Sequence, residues 1–408
     1  MKKILAGLSG LAALLALSPA QAQAQGTVKI GLIMSFSGQF ADLGTMMDAG
    51  VQLYMKEHGD TVAGKKIEII RKDSGAAGTA PDVAKRLAQE LIVRDKVDIV
   101  AGFSLTPDAL AAADVFTESK KVAVIMNAAT AIITARSPYF TRVSIPLPQA
   151  MGALGTWAAK TGGSKSVFTM VTNYGPGIDS EVAFQNAFKA AGGTVVGGVR
   201  FPVANPDFSA FAQQAKDSKA DSIYIFVPGG EQPAALGKAL AEHGVSSKQI
   251  KIYSSGELVN DEPLKSMGDG ALGIISGWHY TWTHKSDLNA KFVKGINEIL
   301  KGRNPDQFAV GGYDGIALIY KALEKTKGDA DGDKLIAAIK GLSFESPRGP
   351  ISIDPETRDI VQDIYLRRVE TVNGKPQVVE FDKLEKVKDP VKAQLKAEGK
   401  LNPDGTTK

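Results

Sequence analysis

Residues 97–130 constrain the fold more than any other part of the sequence, because they predict a strand, a helix and a second strand in succession. Residues 97–103 (VDIVAGF) form a nearly continuous apolar run, which is typical of a strand buried on both faces of a parallel sheet. Residues 109–116 have helical composition, and residues 122–126 are again apolar and β-branched. The segment therefore predicts a parallel βαβ unit.

The loop after each of these two strands carries small and hydroxyl-bearing residues. Ser104 and Thr106 stand where the helix begins, and the free backbone N–H groups and positive dipole end there attract a small anion such as a carboxylate. Ala128 and Thr130, in the sequence NAAT after the second strand, let a ligand approach the backbone. Neighbouring strand ends of this kind form the crevice where open α/β sheets bind ligands. The alternative is an ordinary helix cap at Thr106 and Pro107 that binds nothing.

Strands and helices alternate along most of the chain, which predicts parallel βαβ units with right-handed connections. Strands are predicted at residues 26–34, 66–70, 97–103, 122–126, 166–171, 194–201, 222–227, 250–253, 349–353 and 364–369. Helices are predicted at residues 46–58, 82–93, 109–116, 178–191, 208–216, 232–243, 287–300, 311–324 and 333–342.

Two segments are predicted to connect separate lobes. Residues 144–148 (SIPLP) contain two prolines, which fix an extended path with few side chains to pack. The aromatic residues Trp278, Tyr280 and Trp282 are placed near a return crossing. Residues 383–408 carry seven lysines against few apolar residues and are expected to form a loosely packed tail.

The N-terminus has the three parts of a secretory signal peptide. Lys2 and Lys3 precede an apolar run over residues 4–17, and the polar and small residues that follow predict cleavage near Ala24. The run is too short to span a membrane. An apolar helix of the mature fold is the less favoured alternative, so residues 1–24 are expected to direct export.

The composition excludes several classes of site. The chain has no cysteine, which excludes disulfides, thiolate metal sites and a lipid-bearing cysteine, and favours free diffusion in a periplasm. The 48 basic and 44 acidic residues give a net charge of +4, and without Lys2 and Lys3 this falls to +2. So small a charge argues against nucleic acid as a partner.

The motifs support binding and no catalysis. The GxG at residues 175–177 lacks the third glycine of a dinucleotide fingerprint. The sequence GFSLT around Ser104 is close to the nucleophile elbow of hydrolases, but its last position is threonine instead of glycine. The only histidines, His58, His243, His279 and His284, show no HxxxH spacing and no obvious triad partner for Ser104. We therefore expect no catalytic residue, metal or cofactor.

With these features established, the chain resembles the periplasmic solute-binding proteins of ABC importers for branched-chain amino acids, the leucine/isoleucine/valine-binding group. The resemblance runs from VKIGLIMSFSGQFADLG at the start of the mature chain to GPISID near residue 350. It implies an α/β fold of type I, with two doubly wound parallel-sheet lobes joined by three hinge crossings. The implied lobes are residues 26–143 plus 278–347 (lobe I) and residues 144–277 plus 348–382 (lobe II).

The resemblance also implies roles for individual residues. In that family the ligand carboxylate is held by a hydroxyl at the helix start and by an Ala and a Thr in a segment like NAAT. The matching residues here are Thr106, with Ser104 nearby, Ala128 and Thr130. The remaining positions lie on both lobes. A tyrosine that closes over the ligand matches Tyr174 (NYGPG), the acid that pairs with an α-ammonium group matches Glu257 (SSGELVND), and an aromatic residue beside the ligand side chain matches Phe308 (DQFAVGGYDG).

Two positions depart from the family pattern and leave the ligand open. Leu43 stands where members have a tyrosine, and the tyrosine expected near residues 229–231 is absent. Leu43, Phe103 and Phe308 offer apolar walls, which with Glu257 favour a hydrophobic or branched-chain amino acid. Relatives in the same family bind aromatic acids of the benzoate, phenylacetate or phenylpyruvate type, and the aromatic patch keeps that alternative.

The favoured function is therefore a monomeric, non-enzymatic binding protein that delivers a small carboxylate-bearing solute to the membrane permease of an ABC importer. A secreted hydrolase that uses Ser104 is the rival from another class. A ligand-sensing domain that acts with a membrane receptor shares the fold, and the sequence does not separate it from transport.

Overall fold

A computed structural model describes residues 26–75 and 81–408, so the predicted signal peptide lies outside the described residues. The first sheet has six strands: β1 (Thr27–Met34), β2 (Thr61–Val62), β3 (Lys65–Asp73), β4 (Ile99–Gly102), β5 (Val122–Ile125) and β6 (Phe140–Arg142). Their order is β2-β3-β1-β4-β5-β6, and every pair except β2 with β3 is parallel.

The second sheet has nine strands: β7 (Ser166–Thr172), β8 (Thr194–Phe201), β9 (Ser222–Phe226), β10 (Lys251–Ser254), β11 (Ile275–Trp278), β12 (Ser343–Ser346), β13 (Gly349–Ile353), β14 (Ile360–Val372) and β15 (Lys375–Val387). The order is β12-β13-β14-β11-β10-β9-β7-β8, and β15 pairs with β14. Strands β7 to β11 pair in parallel, whereas β12 to β15 pair in antiparallel fashion. The predicted α/β class with two mainly parallel sheets is confirmed.

Helices connect the strands and cover the sheets. They are α1 (Ala41–His58), α2 (Pro81–Gln89), α3 (Thr106–Ser119), α4 (Leu147–Lys160), α5 (Gly175–Ala190), α6 (Phe208–Asp217), α7 (Gln232–Glu242), α8 (Asp261–Met267), α9 (Asp287–Ile299), α10 (Gln307–Lys325), α11 (Gly332–Ile339) and α12 (Pro390–Ala397). Among the described residues, no helix is both long and apolar enough to traverse a lipid bilayer.

Both faces of the first sheet are buried, as the apolar run in β4 predicts. Ile99 and Ala101 pack in the core that also contains residues of α1 and α10. Val100, which points to the opposite face, packs with α2 and α3. Because α10 belongs to this core, the chain returns to the first lobe after completing most of the second.

The structure differs from the sequence prediction near the expected lobe boundary at residue 347. The boundary falls inside the hairpin of β12 and β13, and both strands belong to the second sheet. Antiparallel pairing of Ser343 with Ser352 and of Ser346 with Gly349 fixes this arrangement.

The C-terminal segment is packed, in contrast to the predicted loose tail after residue 382. It contains the end of β15 and the helix α12. Lys392 of α12 is only 2% exposed. Its ammonium group donates to the Asp359 carboxylate at 2.6 Å and to the carbonyl oxygen of Ala131 at 2.6 Å. The lysines of this segment therefore include one that is buried by specific polar partners, which its composition does not reveal.

Candidate ligand-binding site

The end of β4 directs the chain into the site through an uncommon backbone conformation. Gly102 has a φ of +112° and Phe103 a φ of +64°. A Cβ at Gly102 would overlap the carbonyl oxygen of Ile33, so this position requires glycine. The following turn places the Phe103 ring in the core, with its centroid 5.9 Å from that of Phe116 and 6.4 Å from that of Phe140. Phe103 is therefore a core residue, and the expectation that it forms a ligand wall is wrong.

Ser104 and Thr106 both line a cavity between the lobes. The backbone N–H of Ser35 donates to Ser104 Oγ at 2.9 Å, and the N–H of Thr130 donates to Thr106 Oγ1 at 3.3 Å. Each hydroxyl accepts a bond from the backbone and so keeps its own hydrogen for another acceptor. Two buried O–H donors at one end of a cavity suit a carboxylate.

The start of α3 does not have the geometry of an ordinary side-chain cap. The N-cap residue is Leu105, which has extended backbone angles and no side-chain capping bond. Thr106 is already helical, and its hydroxyl bonds to the neighbouring loop instead of the helix. The first-turn N–H groups of α3 thus have no side-chain cap, which disagrees with the simple-cap alternative.

Of the NAAT residues, Asn127, Ala128 and Ala129 line the cavity and Thr130 does not. The Thr130 hydroxyl lies against Gly175 of the second lobe, where a Cβ would overlap it. Within residues 26–75 and 81–408, this buried hydroxyl has no hydrogen-bond partner. The Arg142 guanidinium holds the loop from behind, because it donates to the carbonyl oxygens of Thr130 and Ala131 at 2.8 and 2.9 Å.

Aromatic side chains form the second-lobe wall of the same cavity. Tyr174, at the start of α5, lies with its ring centroid 6.1 Å from that of Phe226 at the end of β9. Trp278, at the end of β11, also lines the cavity. Burial, with the Glu257 carboxyl group nearby, raises the pKa of Tyr174 well above its usual value. Tyr174 therefore stays a neutral phenol.

Glu257 lies in a short helical turn after β10 and also lines the cavity. The preceding residue, Gly256, lacks a Cβ that would overlap the ring of Trp278, so the turn packs directly on the indole. Glu257 is 7% exposed. Burial raises its pKa to about 7, and the Ser255 hydroxyl and the positive charge of Arg367 only partly offset this effect.

Phe308 reaches the site from the first lobe by filling the space beside Gly229. A Cβ at Gly229 would overlap the tip of the Phe308 ring and would lie 3.3 Å from Leu43 Cδ1. The Phe308 ring from α10 therefore lies next to Gly229, in the region where the family pattern has tyrosines and this chain has Gly229 and Leu43. Phe308 itself lines a wider cleft that meets the inner cavity at Gly229 and Glu257.

Arg367 is a site residue that sequence reasoning missed. It lies on β14 and lines the wider cleft with Glu257. Its Nε donates to Ser276 Oγ at 3.2 Å, and its Nη1 donates to the carbonyl oxygen of Tyr280 at 2.6 Å. The adjacent Arg368 is a surface residue with a 42% exposed side chain. The two arginines differ because successive side chains of a strand point to opposite faces of the sheet. The sequence alone does not indicate which of the two faces is buried.

The two lobes are in direct contact around the cavity. The N–H of Ala131 donates to the Asp179 carboxylate of the second lobe at 2.8 Å. On the other side, the Asn304 amide of the first lobe donates to the Asp261 carboxylate at 2.8 Å. The structure therefore represents a closed arrangement of the lobes.

The geometry argues against the hydrolase alternative. Ser104 Oγ bonds to a backbone N–H, and the histidines have other neighbours: His58 stacks on Tyr54, His243 bonds to Ser209, His284 bonds to Glu380, and His279 lies beside Trp278. No group of three or more potential metal ligands occurs among the described residues.

Comparison with known proteins agrees with this geometry. A family model described as a periplasmic binding protein matches residues 27–375. The chain is 40% identical over 400 residues to the Leu/Ile/Val-binding protein homolog 6 of Brucella melitensis, an alignment that covers 97% of this chain and 100% of the relative.

Two solved structures from Rhodopseudomonas palustris are also similar. One is a solute binding protein of an ABC transporter in complex with 3,4-dihydroxybenzoic acid; it is 50% identical, has a TM-score of 0.86, and the match covers 90% of this chain and 99% of that chain. The other is a solute binding protein in complex with 4-hydroxybenzoate; it is 40% identical, has a TM-score of 0.84, and the match covers 89% of this chain and 98% of that chain.

Proposed function

The chain belongs to the periplasmic binding protein family, and from this premise we propose that its inner cavity captures a small aromatic acid for delivery to the membrane permease of an ABC importer. The ligand carboxylate accepts hydrogen bonds from Ser104 and Thr106 at the start of α3. The ring lies against the aromatic wall of Tyr174, Phe226 and Trp278. Ala128 lets the ligand approach the loop after β5.

The arrangement of the inner cavity is the observation that carries this proposal. The hydroxyl-bearing residues Ser104 and Thr106 and the aromatic residues Tyr174, Phe226 and Trp278 all line this one cavity. A planar acid satisfies both features, because its carboxylate takes the donors while its ring stacks in the apolar middle. The aromatic acids bound by the two Rhodopseudomonas palustris proteins support the same ligand class.

Closure of the lobes follows from the division of these contacts. The first lobe supplies Ser104, Thr106 and Ala128, and the second supplies the aromatic wall and Glu257. A ligand that touches both lobes binds the closed state more tightly than the open one, and so shifts the population towards closure. The permease then distinguishes loaded from empty protein by the position of the lobes.

A hydrophobic amino acid is the second candidate. Glu257 favours it, because an ammonium group would pair with a buried carboxylate that otherwise costs free energy to ionise. The name of the Brucella melitensis relative supports this class as well. Leu43 and Phe308 would then contact the ligand side chain.

A thermal unfolding screen distinguishes the two candidates. We expect benzoate, 4-hydroxybenzoate and 3,4-dihydroxybenzoate to raise the melting temperature, since a ligand at a hundred times its dissociation constant stabilises a protein by roughly 2.7 kcal/mol. L-leucine and L-phenylalanine are the comparison ligands. Stabilisation by the amino acids alone would favour the second candidate, and chemical turnover of any bound acid would contradict a binding role.

We also propose that the chain is exported to the periplasm and that the mature protein is not attached to the membrane by a lipid. Cleavage near Ala24 releases a protein without a cysteine to carry lipid. N-terminal sequencing of the protein from a periplasmic extract should begin close to Gln25. Recovery of the full-length chain from the membrane fraction would contradict this part of the proposal.

A further inference from the structure

Glu257 and Arg367 are two buried, oppositely charged side chains that face the cleft without bonding to each other. Arg367 is 2% exposed and Glu257 is 7% exposed. Within residues 26–75 and 81–408, neither Glu257 Oε2 nor Arg367 Nη2 has a hydrogen-bond partner. Both residues line the wider cleft. A buried donor and a buried acceptor in the wall of this cleft are thus both without a partner.

Both groups are held in position by their surroundings. Two of the Arg367 nitrogens are already committed, to Ser276 Oγ and to the carbonyl oxygen of Tyr280. Glu257 is fixed through its turn, since Gly256 packs against the ring of Trp278. Two hydrogen bonds therefore hold the guanidinium in place, and the contact of Gly256 with Trp278 holds the backbone beside Glu257.

We propose that Glu257 and Arg367 form a hydroxyl-binding subsite that selects aromatic acids carrying a hydroxyl group at the end opposite the carboxylate. The ligand hydroxyl donates its hydrogen to Glu257 Oε2 and accepts a hydrogen bond from Arg367 Nη2. This inference rests on the proposed function, since it assumes that Ser104 and Thr106 hold the carboxylate. It adds the residues that choose among aromatic acids.

A hydroxyl is the group that satisfies both open positions. It donates and accepts, whereas an ammonium group only donates. An ammonium group would pair with Glu257 but would leave Arg367 Nη2 without an acceptor and would place two positive charges side by side. A second carboxylate would satisfy Arg367 but would be repelled by Glu257. An unsubstituted ring would leave both groups unpaired, which is costly at a buried site.

Isothermal titration calorimetry of the mature protein tests the subsite with matched ligands. Benzoate lacks the distal group, 4-fluorobenzoate has a similar shape but no hydrogen to donate, and 4-hydroxybenzoate has the complete hydroxyl. We expect 4-hydroxybenzoate to bind about tenfold to a hundredfold more tightly than benzoate, the range expected for hydrogen bonds to charged groups. 4-Fluorobenzoate should bind no better than benzoate.

Three variants assign this preference to the two residues. In Arg367→Met the ratio of the two affinities should fall, and in the double variant Glu257→Gln/Arg367→Met it should fall further, while benzoate still binds. The double variant leaves no unpaired buried charge, so it guards against a folding defect in the single variant. Arg368→Met is the matched control, because it removes a neighbouring positive charge from the surface and should keep the wild-type ratio.

Each result separates the subsite from the proposed function. Equal affinities of benzoate and 4-hydroxybenzoate in the wild type, or an unchanged preference in the double variant, would overturn the subsite and leave the aromatic-acid function intact. Binding of L-leucine in preference to all three acids would overturn both. Absence of binding by any of these ligands to the folded wild type would also overturn both.

Discussion

At the scale of single residues, the most informative feature of the site is how its hydroxyl groups are oriented. Ser104 and Thr106 each accept a hydrogen bond from a backbone N–H of another segment. Those bonds fix the oxygen atoms and leave the hydroxyl hydrogens for the ligand. A site that is oriented before the ligand arrives loses less side-chain entropy on binding.

Thr106→Ala tests this orientation. The change removes one donor to the carboxylate, and a hydrogen bond to a charged group contributes about 1.5 to 3 kcal/mol. We expect 4-hydroxybenzoate affinity to fall roughly tenfold to a hundredfold in a calorimetric titration. Thr117→Ala is the control, because Thr117 lies on the same helix and bonds to Ser137 away from the cavity. Equal affinities of the Thr106 variant and the wild type would remove Thr106 from the site.

Glu257 predicts a pH dependence of stability. Burial raises its pKa from 4.5 to about 7 in the folded protein. The folded state therefore holds this proton more tightly than the unfolded state, and the stability that Glu257 contributes at low pH is lost as the pH rises from about 4.5 to about 7. Over that window we expect the wild type to lose on the order of 3 kcal/mol of unfolding free energy relative to Glu257→Gln.

Urea denaturation of both proteins, below and above this window, measures the effect. Other buried carboxyl groups titrate equally in wild type and variant, so the difference between the two isolates Glu257. A difference that does not change with pH would mean that Glu257 is either exposed or already paired in the free protein.

At the scale of secondary structure, local signals in the sequence predicted the elements that carry the carboxylate end of the site. The apolar run of β4 and the helical composition after Pro107 lie next to each other in the chain, so a short window contains the whole strand-to-helix turn. Helix α4 was not predicted, since its prolines are also typical of an extended crossing. Pro148 instead occupies the first turn, where a helix tolerates proline.

Elements whose partners are distant in sequence were harder to predict. Lys392 of α12 bonds to Ala131, 261 residues earlier. Arg367 is brought to Ser276 by the pairing of β14 with β11, and Ser276 lies 91 residues away. No pattern in a local window distinguishes these two side chains from neighbouring surface lysines and arginines.

The contacts of α12 predict that the C-terminus supports the ligand loop. Lys392 lies in a buried charge cluster with Arg142, Asp359 and Asp389, behind the loop of Thr130 and Ala131. Because loss of one member of a buried ion pair leaves the other unpaired, Lys392→Met should lower the unfolding free energy by about 3 to 5 kcal/mol. Urea denaturation measures this change.

Lys396→Met is the control for this prediction. Lys396 lies on the same helix and pairs with Glu356, but both side chains are more than half exposed, so this substitution should have little effect. Equal stability of the Lys392 and Lys396 variants would show that α12 does not brace the ligand loop.

At the scale of the whole molecule, the two lobes are in close contact beside the ligand cavity. Gly229 of the second lobe lies against Phe308 and Leu43 of the first, at the boundary between the inner cavity and the wider cleft. Closure therefore depends on the absence of a side chain at position 229.

Gly229→Ala should hinder closure without unfolding either lobe. The added methyl group would overlap the tip of the Phe308 ring, so the lobes would close only if that ring moved. We expect weaker ligand binding and a smaller decrease in radius of gyration on ligand addition, measured by small-angle X-ray scattering. Gly152→Ala is the control, because a Cβ there meets open space. Normal compaction of the Gly229 variant would contradict closure through this contact.

A crystal structure of the mature protein grown with 4-hydroxybenzoate would show whether the inner cavity holds an aromatic acid. The expected complex has closed lobes, the carboxylate oxygens within hydrogen-bond distance of Ser104 Oγ and Thr106 Oγ1, and the ring beside Tyr174, Phe226 and Trp278. A complex in which the acid lies outside the inner cavity would contradict the proposed function. A second crystal, grown with 4-hydroxybenzoate and L-leucine at equal concentration, would contradict it as well if L-leucine occupied the cavity.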